Sequence, residues 1–243
     1  MKQNSTIATP IMNREQYFSL MKDFTACVRP LIEKHINSFC GDNKLLPILS
    51  FFFDKRAQKT CLLKPFLAKL SYDAAGGRDV DKILPVAAVA ELINTSSYQA
   101  NSVLDGKYGV LTKPDKDNQL IASMVTREMT DRVIDEAPLD SYIKNKLKAL
   151  YSEANKFMYY GQFYELNVLH RRNLNVEKMS LDEYLGLYLT KCDHISGIFS
   201  KNVALSGAIL ATDNQLKLDA IGNYARNFGI GLNIINDMSD YLP

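Results

Sequence analysis

One stretch constrains the fold more than any other: the residues from Lys82 to Asp105 form a nearly all-apolar helical pattern that turns polar only at its end. A helix that is hydrophobic on every side is buried by neighbours all round it. Elsewhere apolar residues recur at helical spacing, and the alternation typical of strands is missing. The sequence therefore predicts an all-α fold, a bundle of long antiparallel helices around this central one.

Local signals place the other helices. The first is predicted to begin after Asn13, with Gln16 as its capping-box partner, and a second capping box begins at Ser180. A long helix is predicted from Pro138 to about Arg172. Residues 1–12 are predicted to be a flexible tail and residues 13–243 a single domain. Further signals are a helix stop at Gly76-Gly77, a helix from Gln119 to Glu136, and a final helix from about Asp213.

Composition excludes several classes of protein. The 29 basic and 27 acidic residues nearly balance, which argues against a general nucleic-acid or membrane-surface field. The four cysteines include no CxxC pair, and with three histidines they favour neither a zinc site nor a disulfide framework. No apolar run reaches the roughly 18 residues that a transmembrane segment needs. We therefore expect a cytoplasmic protein with no transmembrane segment and no nucleic-acid partner.

Two apolar helices end in polar clusters. Asn101 and Asp105 are four residues apart, and Asp237 and Asp240 are three apart and follow Asn236. Residues at these spacings share a helix face. If the two helices face each other, the clusters meet over one cavity with apolar walls and an acidic rim. Mg²⁺ takes carboxylates together with phosphate oxygens, so a diphosphate with a hydrocarbon tail would suit such a cavity. The alternative is that both clusters are solvated helix ends.

Five segments, in order and at matching spacing, resemble the polyprenyl synthetase family, the trans-isoprenyl diphosphate synthases. The resemblance covers about residues 59–241. The segments are LLKPFLAKLSYDAAGG, in which Lys64-Pro65 stands for an Arg-Pro pair; ELINTSSYQANSVLD, which matches the helix of the first aspartate-rich motif; GQFYEL at Gly161; Lys191-Cys192 in place of a Lys-Thr pair; and GIGLNIINDMSDY, which resembles the second aspartate-rich motif.

The resemblance implies the isoprenoid synthase fold and a prenyltransferase that uses Mg²⁺ to condense an allylic prenyl diphosphate with isopentenyl diphosphate. It implies a homodimer, or a heterodimer with an active homologue. The implied catalytic residues are Asp105, Asp237, Lys191 and Gln162; the implied metal ligands are Asp105, Asp237, Asp240 and Asn236; the implied substrate-binding residues are Lys64, Lys59, Asn101, Ser96, Ser97 and Lys191. Ser96 and Ser97 stand where the family limits chain length with bulky aromatics, so an open bore is expected there, although Tyr98 could compensate.

Several positions depart from the family pattern. Asn101, Ser102 and Asn236 replace aspartates, so three carboxylates remain where the family has up to six. The paired arginines after the first motif align with Val110 and Leu111. The lysine that binds the second diphosphate falls at Cys61, unless Lys59 replaces it. The family usually continues with further helices beyond the second motif, so the domain is expected to lack its usual last helices.

These departures leave three functions open. The first is the prenyltransferase. The second is a diverged class I terpene synthase, which needs no second diphosphate; the NDxxSxxxE pattern of those enzymes is not met, because Ser239 comes one position early. The third is a non-catalytic or regulatory subunit that pairs with an active homologue, for which the loss of aspartates in the first motif is the reason.

Overall fold

The computed structural model describes residues 12–39, 44–50, 53, 61–106, 116–169, 174 and 179–239, and this part of the chain is helical with no strand. The prediction of an all-α fold is confirmed. The helices are α1 (Arg14–Phe39), α2 (Leu63–Ala75), α3 (Val80–Leu104), α4 (Lys116–Glu136), α5 (Ser141–Phe163), α6 (Leu181–Cys192), α7 (Ile198–Ala208) and α8 (Gln215–Ser239). Residues 46–50 are also helical. A π-helical turn, Tyr164–Val168, extends α5, and a second, Asp193–Gly197, joins α6 to α7.

The central position predicted for α3 is confirmed. Every residue from Val86 to Ile93 is at most 1% exposed. The helix packs against α1, α2, α4, α5 and α7. Burial on all sides explains why the sequence of α3 lacks a polar stripe, because no face of the helix meets water. Helix α3 reaches the surface at both ends, where Val80 to Lys82 at its start and Leu104 at its end are exposed.

Capping follows the predicted pattern. The Asn13 side chain accepts a hydrogen bond from the backbone N–H of Gln16 at 2.9 Å, and the Gln16 side chain accepts one from Asn13 at 3.0 Å. Ser180 and Glu183 form the same reciprocal pair at the start of α6. At the end of α2, Gly76 adopts φ 111°, a left-handed conformation that favours glycine.

Three helix boundaries differ from the prediction. Helix α4 begins at Lys116, three residues before Gln119. Helix α5 begins at Ser141, because the Asp140 side chain accepts from the backbone N–H of Ile143 and caps it there. The regular part of α5 ends at Phe163, well short of Arg172, because the chain widens into the π-helical turn.

Small residues bring α2 and α7 into close contact. A Cβ placed on Gly207 would overlap the backbone carbonyl oxygen of Ala68. The glycine therefore lets the two helices approach until the backbone of one touches that of the other. None of the described helices combines the length and apolar character that a membrane-spanning segment requires.

Gly207→Ala is expected to destabilise the protein by about 1–3 kcal/mol, because the new methyl group would force the α2 and α7 backbones apart. Gly231→Ala is the matched control, since a Cβ there would meet nothing within 4 Å. That control is expected to be neutral or to stabilise by up to about 1 kcal/mol through helix propensity. Urea unfolding followed by circular dichroism measures both. Equal stability of the two variants would contradict the close contact.

Candidate functional site

The Asp237 carboxylate joins α6 to α8. Its Oδ2 accepts hydrogen bonds from the Lys191 Nζ at 2.7 Å, the Tyr188 hydroxyl at 2.8 Å and the Asn233 Nδ2 at 2.9 Å. Tyr188 and Lys191 are three residues apart on α6, and Asn233 lies one turn before Asp237 on α8, so helical spacing puts each donor on the correct face. The Asp237 Oδ2 atom therefore accepts three hydrogen bonds, one of them from a charged ammonium group.

Lys191 lies between two carboxylates. Its side chain is only 5% exposed, and its Nζ is 3.5 Å from Glu165 Oε1 in the π-helical turn after α5. Burial acts to lower the pKa of Lys191, but the hydrogen bond to Asp237 and the charge of Glu165 outweigh it, so the pKa is raised. The ammonium therefore stays charged and ties Glu165 to Asp237.

The pKa of Glu165 responds to two other carboxylates, Asp105 and Asp237. Burial raises its pKa; Lys191 opposes that rise, while the charges of Asp105 and Asp237 add to it. A Coulombic effect of this kind requires Asp105, at the end of α3, and Asp237, on α8, to lie near the same side chain. The two acidic helix ends are thus on the same side of the molecule, as a shared cavity requires. Their roles as ligands or catalysts stay a prediction.

The polar end of α3 is held by its own side chains. Asp105 is the C-cap residue, and its Oδ2 accepts from the Asn101 Nδ2 at 3.3 Å. The Asn101 Oδ1 is buried and lacks a hydrogen-bond partner among the residues described. Ser102 donates to the Tyr98 carbonyl oxygen at 2.7 Å and so turns back onto its own helix. Asn101 therefore offers an unpaired acceptor beside Asp105, whereas Ser102 does not.

Gln162 and Lys64 differ in their distance from this cluster. The Gln162 Nε2 lies 3.4 Å from Glu165 Oε2, so this amide contacts the carboxylate cluster. Lys64, by contrast, donates to the Ser200 hydroxyl at 2.7 Å, and its ammonium lies 5.1 Å from the centre of the Phe199 ring. Ser200 packs against Gly229, eight residues before Asp237, or about 12 Å along α8. The structure does not bring Lys64 to the carboxylates.

The two serines beneath Asn101 lie against Arg127 of α4. Ser96 donates to the Ser123 carbonyl oxygen at 2.9 Å, and Ser97 donates to its own helix at Ile93. Both hydroxyls also lie within hydrogen-bonding distance of the Arg127 guanidinium, at 3.4 and 3.2 Å. The open bore expected at this level stays a prediction.

Three predicted residues do not belong to the cluster as described. The Asn236 side chain is exposed on α8 and is not among the groups that meet Asp237. Asp240 and Lys59 lie outside the described residues, as do Val110 and Leu111.

Sequence reasoning missed four residues of the site: Glu165, Tyr188, Asn233 and Arg127. Helical spacing could have found the first three, since Glu165 ends the GQFYE segment and the other two lie one turn from Lys191 and Asp237. Nothing in the sequence distinguishes Arg127 from the other charged residues of α4.

The carboxylates suit a cation that arrives with its ligand. In the described part of the chain, no group of three His, Cys, Asp or Glu side chains is placed to hold a metal ion. The Asp237 oxygen nearest Lys191 already accepts three hydrogen bonds. Mg²⁺ commonly uses only one or two carboxylates and completes its shell with phosphate oxygens and water. The described carboxylates therefore do not form a metal site by themselves, and their role as ligands of Mg²⁺ stays a prediction.

A separate groove of about 700 Å³ lies between α5, α7 and α8. It is lined in part by Lys146, Glu153, Lys201 and Asp219. Asp219 comes 18 residues before Asp237 on α8, which corresponds to about 27 Å along the helix. The groove is thus at the opposite end of the bundle and is no part of the carboxylate cluster.

No protein-family model and no curated protein matches this sequence. Solved structures do match the fold. A geranylgeranyl pyrophosphate synthetase from Pyrococcus horikoshii aligns with 92% of this chain and 66% of its own, at 20% identity and TM-score 0.74. A decaprenyl diphosphate synthase from Rhodobacter capsulatus aligns with 93% of this chain and 66% of its own, at 15% identity and TM-score 0.75.

A third similar structure, the polyprenyl synthase from Caulobacter crescentus, is described as complexed with calcium and isoprenyl diphosphate. It aligns with 92% of this chain and 64% of its own, at 18% identity and TM-score 0.73. The chain thus spans about two thirds of the length of these enzymes. Likeness at this level of identity shows that the chain has the isoprenoid synthase fold.

Removing either partner of the central ion pair is expected to have unequal effects. Asp237→Asn leaves the buried Lys191 ammonium with Glu165 alone and should destabilise the protein by about 2–4 kcal/mol. Lys191→Met should cost less, because the Asp237 side chain is 25% exposed and keeps its Tyr188 and Asn233 donors. Urea unfolding of both variants and of the double variant gives the coupling, expected at about 1–3 kcal/mol. Additive effects would contradict the ion pair.

Glu165→Gln is expected to gain stability relative to the wild type as pH rises. The pKa of Glu165 is raised, so the folded state binds more protons than the unfolded state just above the ordinary carboxyl pKa, and wild-type stability falls there. Glu165→Gln has no carboxyl group at this position, so its stability does not show this fall. Unfolding at about pH 3.5 and about pH 7.5 measures the difference.

Glu183→Gln is the control with the opposite sign. Hydrogen bonds from Ser180 lower the pKa of Glu183, so its stabilisation is present above the ordinary pKa and is lost at lower pH. The free energy of unfolding of Glu183→Gln should therefore fall relative to that of the wild type as pH rises. Parallel pH profiles for the two variants would contradict the raised pKa of Glu165.

Proposed function

We propose that this chain is a prenyltransferase-type protein of isoprenoid biosynthesis, which binds an allylic prenyl diphosphate and condenses it with isopentenyl diphosphate. The observation that carries the proposal is the arrangement at the polar ends of α3, α5 and α8. There a buried lysine lies between Glu165 and Asp237, and Asp105 faces the same space. The likeness of the fold to prenyl diphosphate synthases supports it.

The diphosphate head would be bound by one cationic and one neutral donor of the chain. The Lys191 ammonium has three N–H donors and now serves two carboxylates, so it can turn to a phosphate oxygen without leaving the cluster. The Gln162 amide beside Glu165 supplies a further N–H. Glu165 contacts both groups, so the head would lie beside Glu165 and Asp237.

Three carboxylates so close to a diphosphate would repel it unless a cation came between them. Asp105 and Asp237, with Asp240 and Asn236 as further candidates, would hold Mg²⁺ against the phosphate oxygens. Bound there, Mg²⁺ would neutralise charge on the leaving diphosphate and so favour ionisation of the allylic carbon. The chain's own part is to hold the head with Lys191 and to keep the tail away from water among the helices beneath the rim.

A second function, that of a non-catalytic subunit paired with an active homologue, is favoured by one observation. The Asp237 oxygen that faces Lys191 already has three donors, one of them an ammonium. The Lys191 ammonium thus occupies a place beside Asp237 that a metal ion could take. With Asn101 and Asn236 in place of carboxylates, the cluster has fewer charges than a multi-metal site would use.

The test is turnover by the purified chain with labelled isopentenyl diphosphate and allylic diphosphates of different lengths, with Mg²⁺ or with a chelator. Elongated product is expected only with Mg²⁺. Asp237→Asn should lower kcat/KM by at least about 100-fold, as expected when a group that stabilises developing charge is lost. Asp131→Asn is the control, since Asp131 is an exposed acid on α4.

No product at any tail length would overturn the prenyltransferase proposal. The subunit alternative would then gain support if mixing the chain with an intact homologue changed the length or rate of that homologue's products. Product formed at full rate with the chelator would contradict the role given to Asp105 and Asp237.

A further inference from the structure

We propose that the groove between α5, α7 and α8 is a docking site for an amphipathic helix of a partner protein that carries an acidic residue at each end of its apolar stripe. The groove lies at the opposite end of the bundle from Asp237. The inference therefore goes beyond the proposed function and does not rest on it. Its evidence is the shape of the groove, the apolar surface along it and two lysines without an acidic partner.

The groove follows the helices that form it. On α5 the lining residues Lys146, Ala149, Leu150 and Glu153 share one helix face, and the first and last of them are about 10 Å apart along the helix. On α8 the lining runs from Gln215 to Asn223, or about 12 Å. The groove is thus about two helical turns long and runs along its walls, which is the form that accepts one more helix.

Two lysines of the groove lack an acidic partner. No carboxylate lies within ion-pair distance of Lys146 or Lys201 among the residues that the structure describes. The Lys146 ammonium lies 4.3 Å from the centre of the Tyr142 ring, which is open to water because Tyr142 is 65% exposed. Both lysines can therefore bind an anionic group without giving up an ion pair.

The lysines mark the two ends of the groove. Lys201 precedes Asn202, whose Nδ2 donates at 2.9 Å to Glu153, the last lining residue of α5. A Cβ on Gly222, late in the lining of α8, would lie 3.5 Å from the Lys201 Cγ. Lys146 is the first lining residue of α5, about 10 Å from Glu153 along the helix. A ligand that uses both lysines thus has its acidic groups about 10 Å apart.

The two carboxylates of the groove, by contrast, have partners in the chain. Glu153 accepts its hydrogen bond from an Asn202 amide that is fully buried. Asp219 accepts one from the Gln215 Nε2 at 2.7 Å. These acids need no partner from a ligand, and they repel a helix that is acidic along its whole length.

The apolar surface decides between a helix and a small molecule. Leu205 and Leu218 line the groove itself. Leu216, at the start of α8, lies three and seven residues before lining positions and is 82% exposed. Tyr142 lies one turn before Lys146 on the same face of α5. A small molecule held in the groove would leave Leu216 and Tyr142 in water, whereas a helix that runs through the groove would cover both.

The partner helix is defined by these features. Acidic residues seven positions apart share a face and are separated by about 10 Å, so one meets each lysine. Apolar residues at the third and fourth positions after the first acid lie between the acids on that face and meet the leucines. This is the i, i+3, i+4, i+7 spacing of helices that dock in grooves.

The probe is a fluorescently labelled synthetic peptide of about 15 residues, rich in alanine so that it forms a helix. It carries two glutamates seven positions apart and two leucines between them. Its anisotropy on titration with the full chain measures binding. We expect saturable binding that is at least about five-fold weaker when both glutamates are replaced by lysine. Replacing both leucines by serine should weaken binding at least about ten-fold.

Lys201→Glu should weaken binding of the glutamate peptide at least about five-fold, and one of the two peptides in which a single glutamate is changed to lysine should regain it. Lys217→Glu is the matched control, because it makes the same charge change at an exposed position of α8 that lies about 200° around the helix from Asp219. It should leave binding unchanged. Thermal melts verify folding, and Lys201→Gln serves if Lys201→Glu does not fold.

Three results would each overturn the docking site: no saturable binding below about 1 mM, equal binding of the glutamate and lysine peptides, or equal loss in Lys201→Glu and Lys217→Glu. Octanoate is the probe for a small anionic ligand. Octanoate binding that depends on Lys201, without peptide binding, would overturn the helix as the occupant. None of these measurements involves a diphosphate or Mg²⁺, so their failure leaves the proposed function standing.

Discussion

The structure of the candidate site depends on one ion pair, between Lys191 and Asp237. Each group alone would be costly, since the lysine is almost completely buried and the carboxylate shares it with Glu165. Together they satisfy each other, and the Tyr188 and Asn233 donors complete the set. The same bond joins α6 to α8, so the contact that neutralises charge also fixes the two helices that flank the rim.

The fold brings these groups to one end of the bundle by packing the helices around α3. Helix α3 is enclosed over its middle part and reaches the surface at both ends. Helix α8 buries only Gly222, Ala225, Gly229 and Asn233, so one narrow face of it meets the core. The interior keeps polar side chains of its own, such as Glu91 and Gln99 of α3.

The sequence was sufficient for features that depend on periodicity, and insufficient for those that depend on contacts between helices. Apolar spacing gave α3 its central place, and helical spacing grouped Asn101 with Asp105 on one helix, whereas the meeting of the two polar clusters remained a condition. The end of α5 was wrong because a π-helical turn has no sequence signature comparable to a cap or a proline. The hydrogen bond from Lys64 to Ser200 on α7 could not be predicted, because it joins residues far apart in the chain. The contacts of Arg127 with Ser96, Ser97 and Tyr159 arise only when α3, α4 and α5 come together.

The two π-helical turns make the site sensitive to the length of the chain. A π turn holds more residues than a regular turn, so it is in effect an insertion within the helix. Tyr164–Val168 carries Glu165, and Asp193–Gly197 begins two residues after Lys191. Loss of one residue in the first turn would restore a regular helix and rotate the residues on its C-terminal side by about 100°. Substitutions in these segments leave the helix register intact, whereas a deletion would turn an acidic side chain away from its ammonium partner.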